Sequence, residues 1–463
     1  MQRTLQDLIQ ESHSISAHLF NDAIAPHSRP SPTRTPLPRE YSNWRDEQRA
    51  WRNAAVLFDQ SHHMPELFLD GRDALRLLTG IGVNGMANLA PGRAKQFVAC
   101  NSRGQIIGDC ILHNLEKDRF ELVSGMALLN WVHFQAEKGR YDVTVERDHN
   151  TADNPSGTRR NFRFQLDGPN AGMIFGEVVK GDAPTIPFFC TAVVEIAGCN
   201  VLALRHGMAG HQGVELSGPY DAQEAVRSAI LRVGEKYGLR RAGTRSYYST
   251  TVESGWIGYP LPAIYTGDDM REFREWLPAT GWEANFSIGG SFYSENIEDY
   301  YVTPFEMGYG GIVKFDHQFI GRAALEGMRP DSQRKKVTLV WNPEDIARVQ
   351  NSLFDSDLPF RYIEQPVADY ALAHADQVQT LDGRMVGIST HTGFSMNERK
   401  MLSLALVSNE HSKPGTELQV IWGEPNGGSR KPQVERHRQS AIRVTVAVAP
   451  YAQSVQKMKR ESI

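Results

Sequence analysis

Cysteine is scarce in this chain. Four occur in 463 residues, Cys100, Cys110, Cys190 and Cys199. None belongs to a CxxC pair or a Cys/His zinc spacing, which argues against a zinc ribbon, a thioredoxin-type redox pair and a disulfide framework. Four reduced thiols place the chain in the cytoplasm. No apolar run reaches the roughly 18 residues that a membrane helix needs, and the N-terminal stretch Met1 to Phe20 carries acids without the apolar centre of a signal peptide. Neither charge dominates: 50 basic residues face 54 acidic ones, a formal −4, so nothing electrostatic calls for nucleic acid or an acidic membrane as partner. The generic cofactor signatures are missing too. There is no P-loop, no zinc HExxH and no dinucleotide glycine fingerprint; Gly308-Tyr309-Gly310-Gly311 lacks the spacing and reads as a turn. No metal is expected.

What is present is an ordinary globular composition, 40% hydrophobic and 22% charged, long enough for roughly two to four domains and for a pocket between them. Residues 24–40 are rich in proline and arginine, a linker or an arm that belongs to a site. Asn43 to Phe58 reads as a helix, Leu67 to Asp70 as a strand and Asp73 to Leu78 as a helix. Gln96 to Leu115 reads as a hairpin about Ser102-Arg103-Gly104. A strand from Phe120 leads into a helix through Asn130 and Phe134, and Tyr141 to Glu146 alternates like a strand. The pattern then recurs in outline. A strand from Phe162 to Leu166 precedes a helix after Pro169, and Val193 to Leu204 forms a hairpin about Gly198. The strand from Val214 to Leu216 precedes a helix opened by a capping-box-like Asp221 and Glu224. Ala222, Ala225, Val226, Ala229, Ile230, Val233 and Tyr237 line one face of that helix, and Gly238 ends it.

After Arg334 short strands separated by turns take over: Lys336 to Trp341, Met385 to Ser389, Leu402 to Val407, Glu417 to Trp422 and Ala441 to Val448. They predict a β-barrel-like domain and a frayed tail from Val455. The fold class is therefore α+β, with residues 1–330 forming two intertwined α+β domains and 331–463 a C-terminal β-barrel-like domain.

Four stretches carry a family resemblance. Phe58-Asp59-Gln60-Ser61-His62-His63-Met64 resembles the "D-x-S-H-M" of the glycine cleavage T protein. Pro91-Gly92-Arg93-Ala94 with Gly104-Gln105-Ile106-Ile107-Gly108-Asp109 resembles its "PGRAQY…GGIIDD" hairpin. Arg205 to Glu215 resembles its "R-T-G-Y-T-G-E-D-G-F-E", and Lys314-Phe315-Asp316 to Ile320-Gly321-Arg322 its "K-x-D-F-I-G-R". The resemblance implies three domains arranged as a ring around a tetrahydrofolate channel, with Glu215 accepting N–H bonds from the pterin edge, a bidentate charge-assisted contact.

The departures redirect the chemistry. Gly108 replaces one aspartate of the T protein's pair, Met208 replaces the motif tyrosine, and Tyr247-Tyr248 stand where an Arg-Asp pair belongs. A site that loses charge and gains phenols is similar to that of the tetrahydrofolate-dependent aryl O-demethylases acting on vanillate, 3-O-methylgallate and syringate. Ser42-Asn43-Trp44-Arg45, Ala54 to Gln60, Glu253-Ser254-Gly255-Trp256, Leu261 to Asp268 and Ile297 to Tyr301 carry that closer likeness. It implies a methyl transfer from an aromatic methoxy group to N5 of tetrahydrofolate. Tyr247 is the expected general acid, and Gln60 and His63 line the substrate side, His63 orienting or protonating a ring oxygen. Trp256 walls the folate or the aromatic ring; Gln165 and Phe188 contact folate. Gly125 stands where the vanillate-type pattern has an arginine. The added room favours syringate, and its carboxylate then needs another cation, Arg34 or Arg39. Two other readings are a glycine-cleavage aminomethyltransferase, against which Gly108, Met208 and the tyrosine pair speak, and a non-catalytic folate-binding protein, whose "K-G-C-Y-x-G-Q-E" stretch the chain lacks.

Overall fold

The structure is a computed structural model that describes residues 2–23, 35–208, 213–329 and 333–461. Two sheets and a barrel organise it. The first sheet has six strands in the order Leu239–Ala242, Ala55–Asp59, Asn161–Asp167, Val214–Pro219, Cys199–Arg205 and Thr191–Ile196. Its first pair is parallel and the others are antiparallel. The second sheet has five antiparallel strands in the order Arg93–Cys100, Ile106–Glu116, Arg119–Ser124, Glu66–Asp70 and Thr144–Asp148. Six strands between Lys335 and Ala447 close into the predicted barrel around a core that includes Trp341 and Trp422. Mixed helices and sheets with a terminal barrel bear out the α+β class.

The strand Asn161–Asp167 shows how the sheets are cemented. Phe162, Phe164 and Leu166 point to one face, into the core beneath the helices Ala171–Val178 and Gln223–Gly234. Burying each contributes about 1.5–3 kcal/mol. Arg163, Gln165 and Asp167 alternate to the opposite face, yet each is at most 1% exposed. That face is therefore covered, and what covers it is the second sheet. There Leu67, Leu69, Leu112, Phe120 and Leu122 turn outward into their own core, which leaves Glu66, His113 and Glu121 facing inward. Two apolar cores thus enclose a polar interlayer.

Several local expectations change. The helix expected from Asn43 to Phe58 spans only Trp44–Asn53, with the Asn43 side chain accepting from the Asp46 N–H at 3.0 Å. Ala55–Asp59 is a strand because its backbone pairs on both sides, with Leu239–Ala242 and with Asn161–Asp167. The strand expected at Tyr141 to Glu146 is displaced to Thr144–Asp148, where it pairs with Glu66–Asp70. No capping box opens the helix Gln223–Gly234. Its N-cap is Ala222, and the 3₁₀ turn Tyr220–Ala222 leads into it. Gly238 does end that segment, at φ +71°, a left-handed conformation that glycine adopts without strain. The tail is helical over Gln453–Glu461 where fraying was expected. Among the described residues no helix is long and apolar enough to cross a membrane, no His/Cys/Asp/Glu group is arranged to hold a metal, and all four cysteines are free.

Candidate active site

The cleft begins where the strand Ala55–Asp59 ends. Gln60 continues its pairing, its N–H donating to the Arg163 carbonyl at 2.8 Å. The chain then turns so that successive side chains diverge. His62 is buried with Nδ1 2.9 Å from Thr151 Oγ1. His63 faces the other way, with Nε2 3.0 Å from the Tyr247 hydroxyl. Of the predicted histidine pair, only His63 enters the site. The Gln60 amide donates to Tyr247 Oη at 3.3 Å and to Met208 Sδ at 2.9 Å. Tyr247 packs edge-on against Phe58, His63 and Tyr248, with centroids 5.6, 5.0 and 4.9 Å apart. The short helix Thr244–Tyr247 that presents it is fixed from behind. Glu47, fully buried, accepts from the Ser246 hydroxyl at 2.6 Å and the Gly243 N–H at 2.9 Å.

Burial sets the ionisation here. Desolvation, reinforced by the positive Arg159, holds His63 down at about 3, so it is neutral at physiological pH. In that state His63 shares one hydrogen bond with the Tyr247 hydroxyl. Desolvation pushes the Tyr247 phenol above its ordinary range, against a smaller opposing effect of the Gln60 bond, so it keeps its proton. Tyr248 and Tyr259 are raised by the same burial.

Gly125 precedes the helix Met126–Lys138. A Cβ built there meets only Tyr259 Cε1, at 3.9 Å, so the position is open towards the tyrosine cluster. Gly108 has a different reason: a Cβ there falls 2.9 Å from Leu128 Cβ, so the helix crosses too closely for the T protein's second aspartate. Its neighbour Asp109 is buried, and one of its oxygens accepts from Gln96 at 2.6 Å, Tyr309 at 2.7 Å and Trp256 at 3.2 Å. Trp256 is 44% exposed, a wall that keeps one face open. Tyr309 lies in the glycine-rich stretch read as a mere turn.

Gln165 and Glu215 pair across adjacent strands, so their side chains share the inner face. Gln165 donates to Asp167 at 2.8 Å and to the His206 carbonyl at 2.9 Å. Among the described residues, Gln60 Oε1, Gln165 Oε1, His206 Nδ1 and both ring nitrogens of His113 are buried without a hydrogen-bond partner. Buried polar groups are rarely left so. The acceptor oxygen Gln165 Oε1 on the same face as the Glu215 carboxylate fits a heteroaromatic edge rich in N–H groups, as a pterin has.

Phe188 does not join this group. It is 45% exposed and stacks edge-on with Phe189, which in turn meets His206. Arg34 lies outside the described residues; Arg39 contributes its backbone carbonyl to the Arg245 N–H at 3.1 Å. Sequence reading missed Arg163, Glu66, Glu121, His113 and Tyr259. The signal for the first was available: Asn161–Asp167 alternates aromatic or aliphatic with polar residues, and a polar face in a central strand marks a buried polar interlayer.

Comparison with known proteins shows the family and the fold. The GCVT N-terminal domain family matches residues 33–261. The chain is 45% identical to the syringate O-demethylase of Sphingobium sp. (strain NBRC 103272 / SYK-6), over 98% of this chain and 96% of that one. It is 30% identical to the sesamin methylene transferase of Sinomonas sp. (strain No.22), over 90% of each. Its fold matches the glycine cleavage system aminomethyltransferase T from Bartonella henselae with a TM-score of 0.60 at 18% identity, covering 90% of this chain and 92% of that one.

Proposed function

The chain belongs to the glycine cleavage T-protein family, and from that premise we propose that it is an O-demethylase that moves the methoxy methyl of a lignin-derived aromatic acid, syringate first, to tetrahydrofolate. The observation that carries this reading is the uncharged Tyr247–His63–Gln60 cluster beside the opening at Gly125. An aryl methyl ether needs a proton at its oxygen as the C–O bond breaks, and a phenol is matched to a phenolate leaving group. Neutral tyrosines and an open glycine suit a methoxylated ring; a cationic aminomethyl donor would call for carboxylates.

Tetrahydrofolate supplies N5, the nucleophile that accepts the methyl group, and leaves as 5-methyltetrahydrofolate. The chain's residues do the rest. Glu215, with Gln165 beside it, receives the N–H edge of the pterin. Trp256 covers an exposed side of the cleft while its N–H helps to hold Asp109. Tyr247 gives its proton to the departing oxygen, and its phenolate is restored by the proton that N5 would shed on methylation. His63 keeps the hydroxyl aimed until then, and the Gln60 amide stabilises the charge left on Tyr247 Oη. Holding the two substrates in line supplies much of the rate. Arg34, on the proline-rich arm, is the proposed cation for the ring carboxylate. Free, partly buried thiols suit a cytoplasmic protein.

The test is anaerobic incubation with tetrahydrofolate and syringate or vanillate, with products separated by chromatography. Formation of a phenol and 5-methyltetrahydrofolate in equal amounts supports the reading. Folate binding with no methyl transfer from either acid would refute it. An aminomethylated lipoyl carrier tests the aminomethyltransferase alternative.

A further inference from the structure

The carboxylate assigned to the pterin does not stand alone. Arg163, with its side chain 1% exposed, lies directly beneath Glu215 on the inner face of the six-stranded sheet, and its Nη1 donates to Glu215 Oε1. The rest of the guanidinium is taken up by the facing sheet. Nη2 donates to Glu121 Oε1, and Nε and Nη2 reach Glu66 Oε1 at 3.3 and 3.1 Å. Three carboxylates, each no more than 4% exposed, therefore share one cation. Arg159 is the next positive charge, 3.8 Å from Glu66 and committed to Asp148 at 2.9 Å.

We propose that Arg163, clamped by Glu66 and Glu121, is a positioning residue for folate: it fixes the direction and the negative charge of Glu215. The inference rests on the folate reading of Glu215 given above. The physical need is plain. A buried carboxyl gives up its charge unless a cation lies next to it, and a neutral carboxyl loses the second acceptor oxygen required for two parallel N–H bonds. A planar guanidinium held from the opposite side has one remaining edge to offer, so it also sets the plane in which Glu215 lies. Burial raises the Glu215 carboxyl, but Arg163, with smaller effects from His113 and His206, outweighs it and leaves the group below its ordinary range. Glu66 and Glu121 are pushed the other way, first by burial. Tyr247 is the other titratable group that senses Glu215 from the cleft side.

The experiment is steady-state kinetics of the full chain against pH, with tetrahydrofolate and syringate varied in turn. Wild type should show a KM for tetrahydrofolate that is flat from weakly acidic to weakly alkaline pH. In Arg163→Met that KM should rise as the pH is lowered, roughly tenfold for each pH unit below the raised Glu215 pKa. It should recover as the pH is raised and Glu215 deprotonates. The KM for syringate should stay within about twofold, and Arg163→Lys should restore part of the loss. Glu121→Gln provides a second arm should Arg163→Met not fold. Removing a competing carboxylate strengthens the hold on Glu215, so the rise in KM that wild type shows once the pH is taken below the weakly acidic range should move to lower pH. Unchanged pH profiles in both variants, while Glu215→Gln raises the KM, would overturn the proposal and leave the folate site intact. An unchanged KM in Glu215→Gln would overturn both.

Discussion

The Tyr247 hydroxyl lies 3.0 Å from Nε2 of His63, and the two rings meet edge to face with centroids 5.0 Å apart. The neutral His63 imidazole and the phenol share one hydrogen bond, which holds the hydroxyl in place until an ether oxygen takes its proton. Tyr247→Phe keeps the packing against Phe58 and deletes only that proton. We expect kcat to fall by about 10²–10⁴, the usual worth of a general acid, with tetrahydrofolate binding retained. Single-turnover kinetics and equilibrium titration check the two halves; an unaltered kcat would assign the acid elsewhere.

The same burial predicts a dependence of stability on pH. Desolvation holds His63 at about 3 and His113 at about 4, against 6.5 when unfolded. Between those values the unfolded chain binds more protons than the folded one, so stability rises with pH there. It is complete above about 6.5 and is lost progressively as the pH falls towards 3. Thermal unfolding across that range should show a falling midpoint, and His63→Gln should flatten part of the slope. The kcat profile should carry no inflection from His63 near neutrality.

Gly125 should decide which methoxylated rings fit. Its missing Cβ faces Tyr259 across 3.9 Å of otherwise open space. Gly125→Arg should fold normally, since the first side-chain atom has room. The guanidinium should then crowd out the second methoxy group, lowering kcat/KM for syringate by more than for vanillate. Equal losses on both acids, measured side by side, would remove Gly125 from the specificity argument.

Gly108 should behave as a packing residue. A methyl at that position approaches Leu128 Cβ to 2.9 Å and backbone atoms of the same helix closely behind it. Gly108→Ala should cost about 1–3 kcal/mol, the range for overpacking a tight contact, measurable by denaturant titration. Gly108→Asp should cost more, and restoring the T protein's aspartate pair should not confer aminomethyl transfer.

Trp256 joins Asp109 and Tyr309 through one N–H, at 3.2 and 3.1 Å. Burial raises the Asp109 carboxyl and the three donors oppose it. Trp256→Phe keeps the ring wall and removes a donor, so the Asp109 carboxyl should titrate at higher pH, as an NMR titration would read, while the thermal midpoint changes little, because the side chain is 44% exposed.

Much of this protein was legible in the chain itself. The barrel strand Glu417–Trp422 begins and ends where alternation and turn residues put it, and Gly238 stops its segment where a left-handed residue is required. Motif order pointed to Gln60, His63, Tyr247 and Glu215; the fold brings the first three within hydrogen-bonding distance of one another and sets Glu215 on the inner face of the six-stranded sheet. Such features are local: a period, a turn residue or a short motif states them within a few positions.

Tertiary structure decided the rest, because it depends on partners distant in the chain. Ala55–Asp59 became a strand through pairing with segments more than a hundred residues away, against a helical reading of its composition. His62 and His63 are adjacent in sequence and part ways because the turn sends one to Thr151 and the other to Tyr247. Arg163, unremarkable within its strand, gained its role when two sheets closed over it and placed Glu66, Glu121 and Glu215 around a single guanidinium. The sequence by itself determined most elements and the chemistry they carry; pairing between distant segments decided the rest, and the packing of one sheet against another decided which charges meet, since the energy of a buried charge is set by whatever surrounds it in space.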